Sequence, residues 1–274
     1  MKAWIFSDLH TDLYPCDMPL RLPVADVCLC AGNTCVNGPA SAVTYLGERV
    51  SPVMPVILVA GNRDYYGSSI CEGLREAFGR AEEFPNVHLL NRSGVVIGGV
   101  RFLGATLWGD TELLASQRLA LFFARREAED AMKISMSKRP LRRFLSKHLE
   151  ALCGQDRDFL RRALRIPNGG TTIVLTHHAP SQMSLPPELR AEARCANRVG
   201  ELEAEIQRHQ PAVWVHGNLN NRSNYSIAAT RVVCNPRGYP ARPVPGFDPG
   251  LVIDLSEDVS IERGGTTLRS SAAH

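Results

Sequence analysis

The chain has 274 residues, of which 44% are hydrophobic and 22% are charged, and its formal net charge is only +3. This composition is typical of a globular protein, and the small net charge gives no indication of a nucleic-acid partner. No apolar run approaches the ~20 residues that a membrane-spanning helix needs, so we expect no membrane partner. The eight cysteines are scattered, without a C-x-x-C pair, which favours buried thiols and a cytoplasmic location.

Apolar segments alternate with helical patterns through the first part of the chain. Strands are predicted at residues 2–7, 26–31 and 55–60, and helices at 39–50 and 69–83. Three short strands follow at residues 87–90, 95–97 and 101–105, with a hairpin turn at Gly98-Gly99. Near-continuous runs of Val, Ile, Leu and Cys between helices indicate buried, partly parallel strands.

The second part of the chain opens with a long stretch, about 111–165, whose Leu and aromatic spacing predicts helix. A strand at 171–176, a helix at 200–209 and a strand at 212–215 come next. Hairpin-like strands that close the second sheet are predicted at residues 226–229, 231–234 and 251–255. We expect one domain over residues 1–262, with a helical cap insertion at about 108–165 and a frayed polar tail at 263–274.

Five predicted strands end in short segments that carry metal-ligand residue types. These segments contain, in chain order, Asp8 with His10, Gly32-Asn33, Gly61-Asn62-Arg63-Asp64, His177, and Gly217-Asn218-Leu219-Asn220. An open α/β sheet gathers its functional groups where strands give way to loops. Each segment alone is a weak signal, because Asp-x-His and Gly-Asn-x-Asp also occur in ordinary turns. Their order along the chain carries the inference.

In that order, the segments resemble the motifs of the calcineurin-like metallophosphoesterase superfamily. The family pattern is Asp-x-His, Gly-Asp, Gly-Asn-His followed by Asp or Glu, a His after a strand, and Gly-His-x-His. Asp8 and His10 match the first motif, Asn62 and Asp64 the third, and His177 the fourth. The resemblance implies an α/β fold, a four-layer αββα sandwich of two mixed β-sheets flanked by helices.

The resemblance also implies a phosphoric ester hydrolase, acting on phosphomonoesters or phosphodiesters. Two divalent ions (Mn, Fe or Zn) would clamp the phosphoryl group and activate a water molecule. The catalytic positions would be those of Arg63 and Asp64. The metal-ligand positions implied by the resemblance are Asp8, His10, Asn33, Asn62, His177, Asn218 and Asn220.

Four of these positions depart from the family pattern. Asn33 stands where the bridging Asp belongs, Arg63 where the catalytic His belongs, and Asn218 and Asn220 replace both His residues of the last motif. A neutral amide oxygen is a weaker ligand for a transition metal than imidazole or carboxylate. Even an outer-shell change typically costs ~10–100-fold in affinity or activity. We therefore expect a weak or absent metal centre and little or no hydrolysis.

The presence of Arg63 at the catalytic His position allows functions other than two-metal hydrolysis. Its guanidinium stays protonated and cannot act as a general acid, but it can bind a phosphate or a carboxylate, including its neighbour Asp64. One alternative is a non-catalytic phosphate-ligand-binding or interaction protein that uses Arg63 and a basic rim within residues 138–165. Another is one-metal hydrolysis at the first ligand group, which comprises Asp8, His10, Asn33 and Asn220. The expected partner is a small phosphorylated molecule, nucleic acid is not favoured, and the oligomeric state is open.

Several of these residues also have a purely structural interpretation. His216 ends a strand and is interpreted as a structural histidine, and Trp108 as packing. Asn218 and Asn220 can equally serve as loop amides, which suit turns. The basic rim can equally be a solvated helix surface.

Overall fold

The computed structural model describes residues 1–14, 21–109, 128–185 and 202–255, so the predicted tail lies outside the described residues. The strands are β1 (Lys2–Phe6), β2 (Val27–Cys30), β3 (Val56–Leu58), β4 (Val87–Leu89), β5 (Ser93–Ile97), β6 (Val100–Ala105), β7 (Ser135–Lys138), β8 (Leu141–Arg143), β9 (Thr172–Thr176), β10 (Val213–His216), β11 (Ser223–Ile227), β12 (Thr230–Cys234), β13 (Gly238–Tyr239), β14 (Arg242–Pro243) and β15 (Val252–Asp254). The helices are α1 (Pro39–Arg49), α2 (Ile70–Ala81), α3 (Ser146–Arg165) and α4 (Glu203–His209), and residues 128–133 are also helical.

Two mixed β-sheets form the centre of the fold. The first has five strands in the order β15-β1-β2-β3-β4, and the second has six in the order β11-β12-β10-β9-β6-β5. β1 to β4 run parallel, and β6, β9, β10 and β12 run parallel in the second sheet. The parallel strands confirm the prediction from their near-continuous apolar runs.

The core lies in three layers, because side chains alternate between the two faces of each strand. Ile5 of the first sheet and Ile173 of the second belong to the inner layer between the sheets. Phe6 faces the opposite way and packs with the apolar sides of α1 and α2. Trp214 belongs to the third layer, in which the second sheet packs against α3 and α4. The four-layer sandwich is therefore confirmed.

The strand at residues 251–255 was predicted to close the second sheet, and this prediction is wrong. β15 instead pairs antiparallel with β1, with Ala3 opposite Ile253. The side chains of Ile253 and Leu255 enter the inner core between the two sheets. An apolar strand can fill that core from either sheet, so its pattern alone does not determine which sheet it joins.

The prediction of continuous helix over 111–165 is also wrong in part. Within the described residues of that stretch, β7 and β8 form an antiparallel hairpin between two helical segments. Pro140 lies at the hairpin turn, and a proline is disfavoured in the interior of a helix. Leu160 and Leu164 of α3 pack on the second sheet, so this part belongs to an outer layer. For the remaining residues of the stretch 108–165, a cap that selects the substrate remains a prediction.

The predicted hairpin between β5 and β6 is confirmed. Gly98 and Gly99 both have positive φ, at 55° and 79°, a backbone conformation that glycine adopts without steric cost. Cys28, Cys30 and Cys234 are buried and free, as their apolar surroundings predict. Among the helices of the described ranges, none has both the length and the apolar character to cross a bilayer.

Candidate functional site

Loops from both sheets meet at one edge of the sandwich. Asp8 follows β1, Asn33 follows β2 and Asn62 follows β3, while His177 follows β9 of the other sheet. The Asn33 amide donates to both Asp8 and Asn62, and Nε2 of His177 lies 3.1 Å from Oδ1 of Asn62, so the four side chains form one buried cluster. The structure therefore brings together residues that are up to 169 positions apart, between Asp8 and His177.

The carboxylate of Asp8 lies at the centre of the site and is 1% exposed. Its Oδ2 accepts hydrogen bonds from the Ser7 hydroxyl at 2.6 Å and from the backbone N–H of Asn218 at 3.0 Å. Its Oδ1 accepts one from the Asn33 amide at 2.9 Å and lies 3.9 Å from Nε2 of His10. Asp8 is thus held from three separate loops.

The orientation of the Asn33 amide is fixed by its neighbours. Its Oδ1 lies 2.9 Å from the backbone nitrogen of Arg63, which can only donate. Its Nδ2 must therefore face the other way, where it donates to Asp8 Oδ1 at 2.9 Å and to Asn62 Oδ1 at 3.3 Å. In the family pattern this position holds a carboxylate that bridges two cations. Here it presents N–H hydrogens to the oxygens on both sides.

His177 and Asn62 keep the spacing of two metal ligands. Nδ1 of His177 donates to the carbonyl of Ala31 at 2.6 Å, so Nε2 of the neutral ring is an acceptor. It lies 3.1 Å from Oδ1 of Asn62, which is also an acceptor. Ligands at right angles on an ion with ~2.1 Å bonds are ~3 Å apart. The two atoms therefore have a spacing that suits two ligands of one ion, but neither group is anionic.

Asp130 is a site residue that the sequence analysis did not find. Its Oδ1 accepts hydrogen bonds from Asn62 Nδ2 and from the Tyr66 hydroxyl, both at 2.8 Å, and the residue is 5% exposed. The bond to Asn62 turns Oδ1 of that amide toward His177. Asp130 lies in the helical residues 128–133, which contain no family motif. The sequence therefore offers no signal that distinguishes it from an ordinary acidic residue of a helix.

Asp64 supports the backbone of the site. Its two oxygens accept four backbone N–H bonds of 2.8–3.2 Å, from Asn33, Thr34, Cys35 and Gly61. Burial raises the pKa of Asp64 to about 7, and the four N–H donors oppose that shift. The suggested contact between Arg63 and Asp64 is not formed, because the carboxylate points into this ring of backbone donors.

Arg63 instead lies between aromatic rings. Its guanidinium carbon is 5.1 Å from the ring centre of Tyr66 and 5.3 Å from that of Tyr239, distances at which cation–π attraction acts. Its Nη2 is 3.4 Å from Oδ2 of Asp12, and its side chain is only 10% exposed. Nε is buried, and no acceptor for it occurs within the described residues. Sequence reasoning missed Tyr239, which also stacks on His10 at 4.4 Å.

The loops hold several site residues in a left-handed backbone conformation. Asp8, His10, Asn33, Asn218 and Asn220 have φ values between 47° and 68°. Asn, Asp and His are the non-glycine residues that adopt this conformation most readily. Such strained positions concentrate at functional sites. The asparagines of the last motif therefore fit their backbone whether or not they ligate a metal.

A dinuclear metal centre does not fit this arrangement. The bridging position carries amide hydrogens, and the ligand positions implied by the resemblance include one carboxylate, Asp8, with the imidazoles of His10 and His177. Across residues 1–14, 21–109, 128–185 and 202–255, no three His, Cys, Asp or Glu side chains cluster to hold an ion. One feature points the other way, since Oδ1 of Asn220 is buried without a partner among the described residues.

His216 and Trp108 are structural. Nδ1 of His216 bonds to the carbonyl of Gly217 at 3.0 Å, and Nε2 accepts from the Ser184 hydroxyl at 2.8 Å. Burial lowers the pKa of His216 to about 4. Trp108 is 3% exposed and packs with Tyr65 and other apolar side chains, so it offers no open ring face to a substrate.

Two solved structures resemble this fold along most of both chains. Phosphopantetheinyl hydrolase (PptH) from Mycobacterium tuberculosis matches with a TM-score of 0.63 and 16% identity, over 88% of this chain and 90% of that chain. The protein TT1561 of Thermus thermophilus matches with a TM-score of 0.52 and 16% identity, over 87% and 89%. No protein-family model and no curated protein matches the sequence. At this identity the likeness shows the fold alone.

Proposed function

We propose that this protein has lost two-metal hydrolysis and uses its phosphoesterase fold to bind a small phosphate-bearing molecule. The observation that carries the proposal is the Asn33 amide, which donates to both Asp8 and Asn62 at the bridging position. Two-metal phosphoryl transfer depends on ions that clamp the attacking and leaving oxygens. Amide hydrogens satisfy the remaining oxygens of this centre without those ions.

Arg63 supplies the positive charge for a phosphate. Its side chain is about nine-tenths buried, and its Nε–H has no acceptor within the described part of the chain. The only hydrogen bond that the guanidinium forms there is the 3.4 Å contact to Asp12. Guanidinium groups bind phosphate through parallel hydrogen bonds of high strength. Tyr66 and Tyr239 hold the guanidinium from the sides, which reduces the entropy lost when a ligand binds.

Bound phosphate esters are not expected to be cleaved at an appreciable rate. A general acid near the leaving group must give up a proton, and Arg63 cannot do so at any working pH. The name of PptH refers to hydrolysis of a phosphopantetheinyl group, which supports a phosphate ester as the ligand class. The proposed ligand class is a phosphate ester, either a monoester or a diester.

Titration calorimetry with inorganic phosphate in EDTA tests the proposal. We expect binding without metal, and we expect Arg63→Gln to weaken it by ~10–100-fold, the worth of a charged hydrogen bond. Arg80→Gln is the matched control, because Arg80 pairs with Glu83 on the exposed face of α2. Phosphate binding that requires a divalent ion, or that is unchanged by Arg63→Gln, would overturn the proposal.

A second candidate function is one-metal hydrolysis at Asp8, His10, Asn33 and Asn220. The unpartnered, buried Oδ1 of Asn220 favours it, because a cation would satisfy that oxygen. A single divalent ion there would polarise a phosphoryl oxygen. Hydrolysis of bis(p-nitrophenyl) phosphate that rises with added Mn²⁺ and disappears in Asn220→Ala would support this candidate over the first.

A further inference from the structure

The β7–β8 hairpin and the start of α3 form a surface of one sign of charge. Residues 138–147 contain five cationic side chains and no acidic one: Lys138, Arg139, Arg142, Arg143 and Lys147. All five are exposed. None of them forms an ion pair with another described residue. We call residues 138–147 the cationic hairpin.

Large apolar side chains are exposed on and beside the cationic hairpin. Leu141 is 75% exposed and Leu145 is 45% exposed, and Met132, at the end of the preceding helical segment, is 79% exposed. Single exposed apolar residues are ordinary on protein surfaces. Here three lie within fourteen positions of sequence, close to five cations, and this combination of exposed aliphatic and cationic side chains needs an explanation.

The cationic hairpin is held firmly in place. The carboxylate of Glu72 accepts the backbone N–H groups of Lys138 at 2.9 Å and Arg139 at 3.3 Å. Ser135 of β7 donates its N–H to the carbonyl of Ser68 at 3.1 Å. The Glu72 carboxylate is therefore engaged by the hairpin backbone, and Nζ of Lys138 donates to the Gly67 carbonyl at 3.3 Å, which leaves Arg139, Arg142, Arg143 and Lys147 available to a partner.

The same contacts place the hairpin next to the candidate site. Ser68 lies five positions after Arg63, and the Lys133 carbonyl accepts the N–H of Gly67 at 3.0 Å. Asp130, three residues before Lys133, bonds to Asn62. A flat anionic partner on the hairpin would thus lie beside the entrance to the phosphate site.

We propose that the cationic hairpin docks the protein on an anionic lipid surface. Clustered Lys and Arg side chains attract anionic headgroups, and aliphatic side chains between them enter the boundary with the acyl chains. Nucleic acid would engage the cations but leave Leu141 and Met132 in water. Such a surface contact needs no membrane-spanning helix, and it does not depend on which phosphate ester the site binds.

Vesicle sedimentation of the full chain tests this proposal. We expect binding to phosphatidylcholine vesicles that contain phosphatidylserine, no binding to pure phosphatidylcholine, and weakening by salt. The double variant Arg142→Gln/Arg143→Gln should bind ~25-fold more weakly, about 5-fold for each cation lost. Arg165→Gln/Arg208→Gln is the matched control, because it removes two exposed cations outside the hairpin.

A third variant separates a lipid surface from a general polyanion site. Leu141→Ser should weaken vesicle binding while circular dichroism stays unchanged, since Leu141 is exposed in the free protein. Absence of binding to anionic vesicles at low salt would overturn the proposal. Vesicle binding that Leu141→Ser leaves intact, with equal binding to single-stranded RNA, would overturn it in favour of a nucleic-acid surface. Phosphate titration of Leu141→Ser should be normal, because this substitution removes no charge, so failure of vesicle binding leaves the proposed function standing.

Discussion

The Asn33 side-chain nitrogen donates a 2.9 Å hydrogen bond to the carboxylate of Asp8, across the position where the family pattern places a shared carboxylate. Its orientation follows from the backbone N–H of Arg63, which holds the other end of the amide at 2.9 Å. Two cations would have to displace these hydrogens before they could share the site. The oxygens of Asp8 and Asn62 that face Asn33 are therefore satisfied without metal.

Asn33→Asp should make folding depend on metal. The substitution places a second carboxylate oxygen against Asp8 Oδ1, where an amide hydrogen now lies at 2.9 Å. In EDTA we expect a loss of about 3–5 kcal/mol in the free energy of unfolding, the cost of an uncompensated buried charge. Added Mn²⁺ should restore the stability, which urea denaturation with and without the ion measures.

Asn224→Asp is the matched control for that experiment. Asn224 lies on β11 and is exposed, so the same chemical change there should shift the unfolding free energy by no more than about 0.5 kcal/mol. If Asn33→Asp is as stable as the unaltered protein in EDTA, the Asn33 amide does not have the role described here.

Asp64→Asn should destabilise the protein strongly. Its two oxygens accept backbone N–H bonds from Asn33, Thr34, Cys35 and Gly61. An amide nitrogen would face two of these donors, and we expect a loss of about 3 kcal/mol or more. Asp26→Asn should cost less, because Asp26 accepts one exposed backbone bond from Lys2. Equal losses in the two variants by urea denaturation would contradict the assignment.

His216 should make stability fall in acid. Burial lowers its pKa to about 4, whereas the pKa of an unfolded-chain histidine is about 6.5. The unfolded chain therefore takes up the proton first as pH falls, so this contribution is complete above pH ~6.5 and is lost as pH falls toward 4. The loss is about 3 kcal/mol by pH 4.

His216→Gln keeps an acceptor for Ser184 and removes the titrating ring. We expect the unfolding free energy of this variant, measured in urea at successive pH values, to decline less steeply between pH 6.5 and 4. A decline as steep as that of the unaltered protein would show that another group is responsible.

The four departures from the family pattern can be reversed together. The combined variant Asn33→Asp, Arg63→His, Asn218→His and Asn220→His should bind divalent metal and hydrolyse a phosphodiester such as bis(p-nitrophenyl) phosphate. The loops already place these positions around Asp8 and Asn62. A variant that folds, as judged by circular dichroism, yet remains metal-free and inactive would show that the loops do not provide the geometry of a two-metal site.

Sequence reasoning located the strands of the site because each is an apolar run followed by a polar segment. The order of those segments carried the resemblance to the metallophosphoesterases, and that resemblance implied the sandwich and a shared site for Asp8, Asn33, Asn62 and His177. These are local signals, repeated at each strand end, and the sheet converts them into a common edge. The wrong assignment of β15 has the opposite cause, because sheet membership depends on long-range packing that a pattern does not contain.

The chemistry of the site was less accessible from sequence. The direction of the Asn33 amide depends on a backbone donor thirty positions away, the N–H of Arg63. Asp130 and Tyr239 lie outside any motif, yet one orients Asn62 and the other stacks on His10. Asp64 was considered as a partner for Arg63, but the guanidinium pairs with Asp12 and lies near two tyrosines. Such contacts are set by the tertiary fold alone.

The most direct test of the central claim is the metal content of the purified protein. Elemental mass spectrometry, after loading with Mn²⁺ or Zn²⁺ and dialysis, gives metal ions per chain. We predict a value close to zero, because the Asn33 hydrogens satisfy Asp8 and Asn62 without cations. A value near two would show that the asparagines still ligate a dinuclear centre of the two-metal type, and would contradict the account.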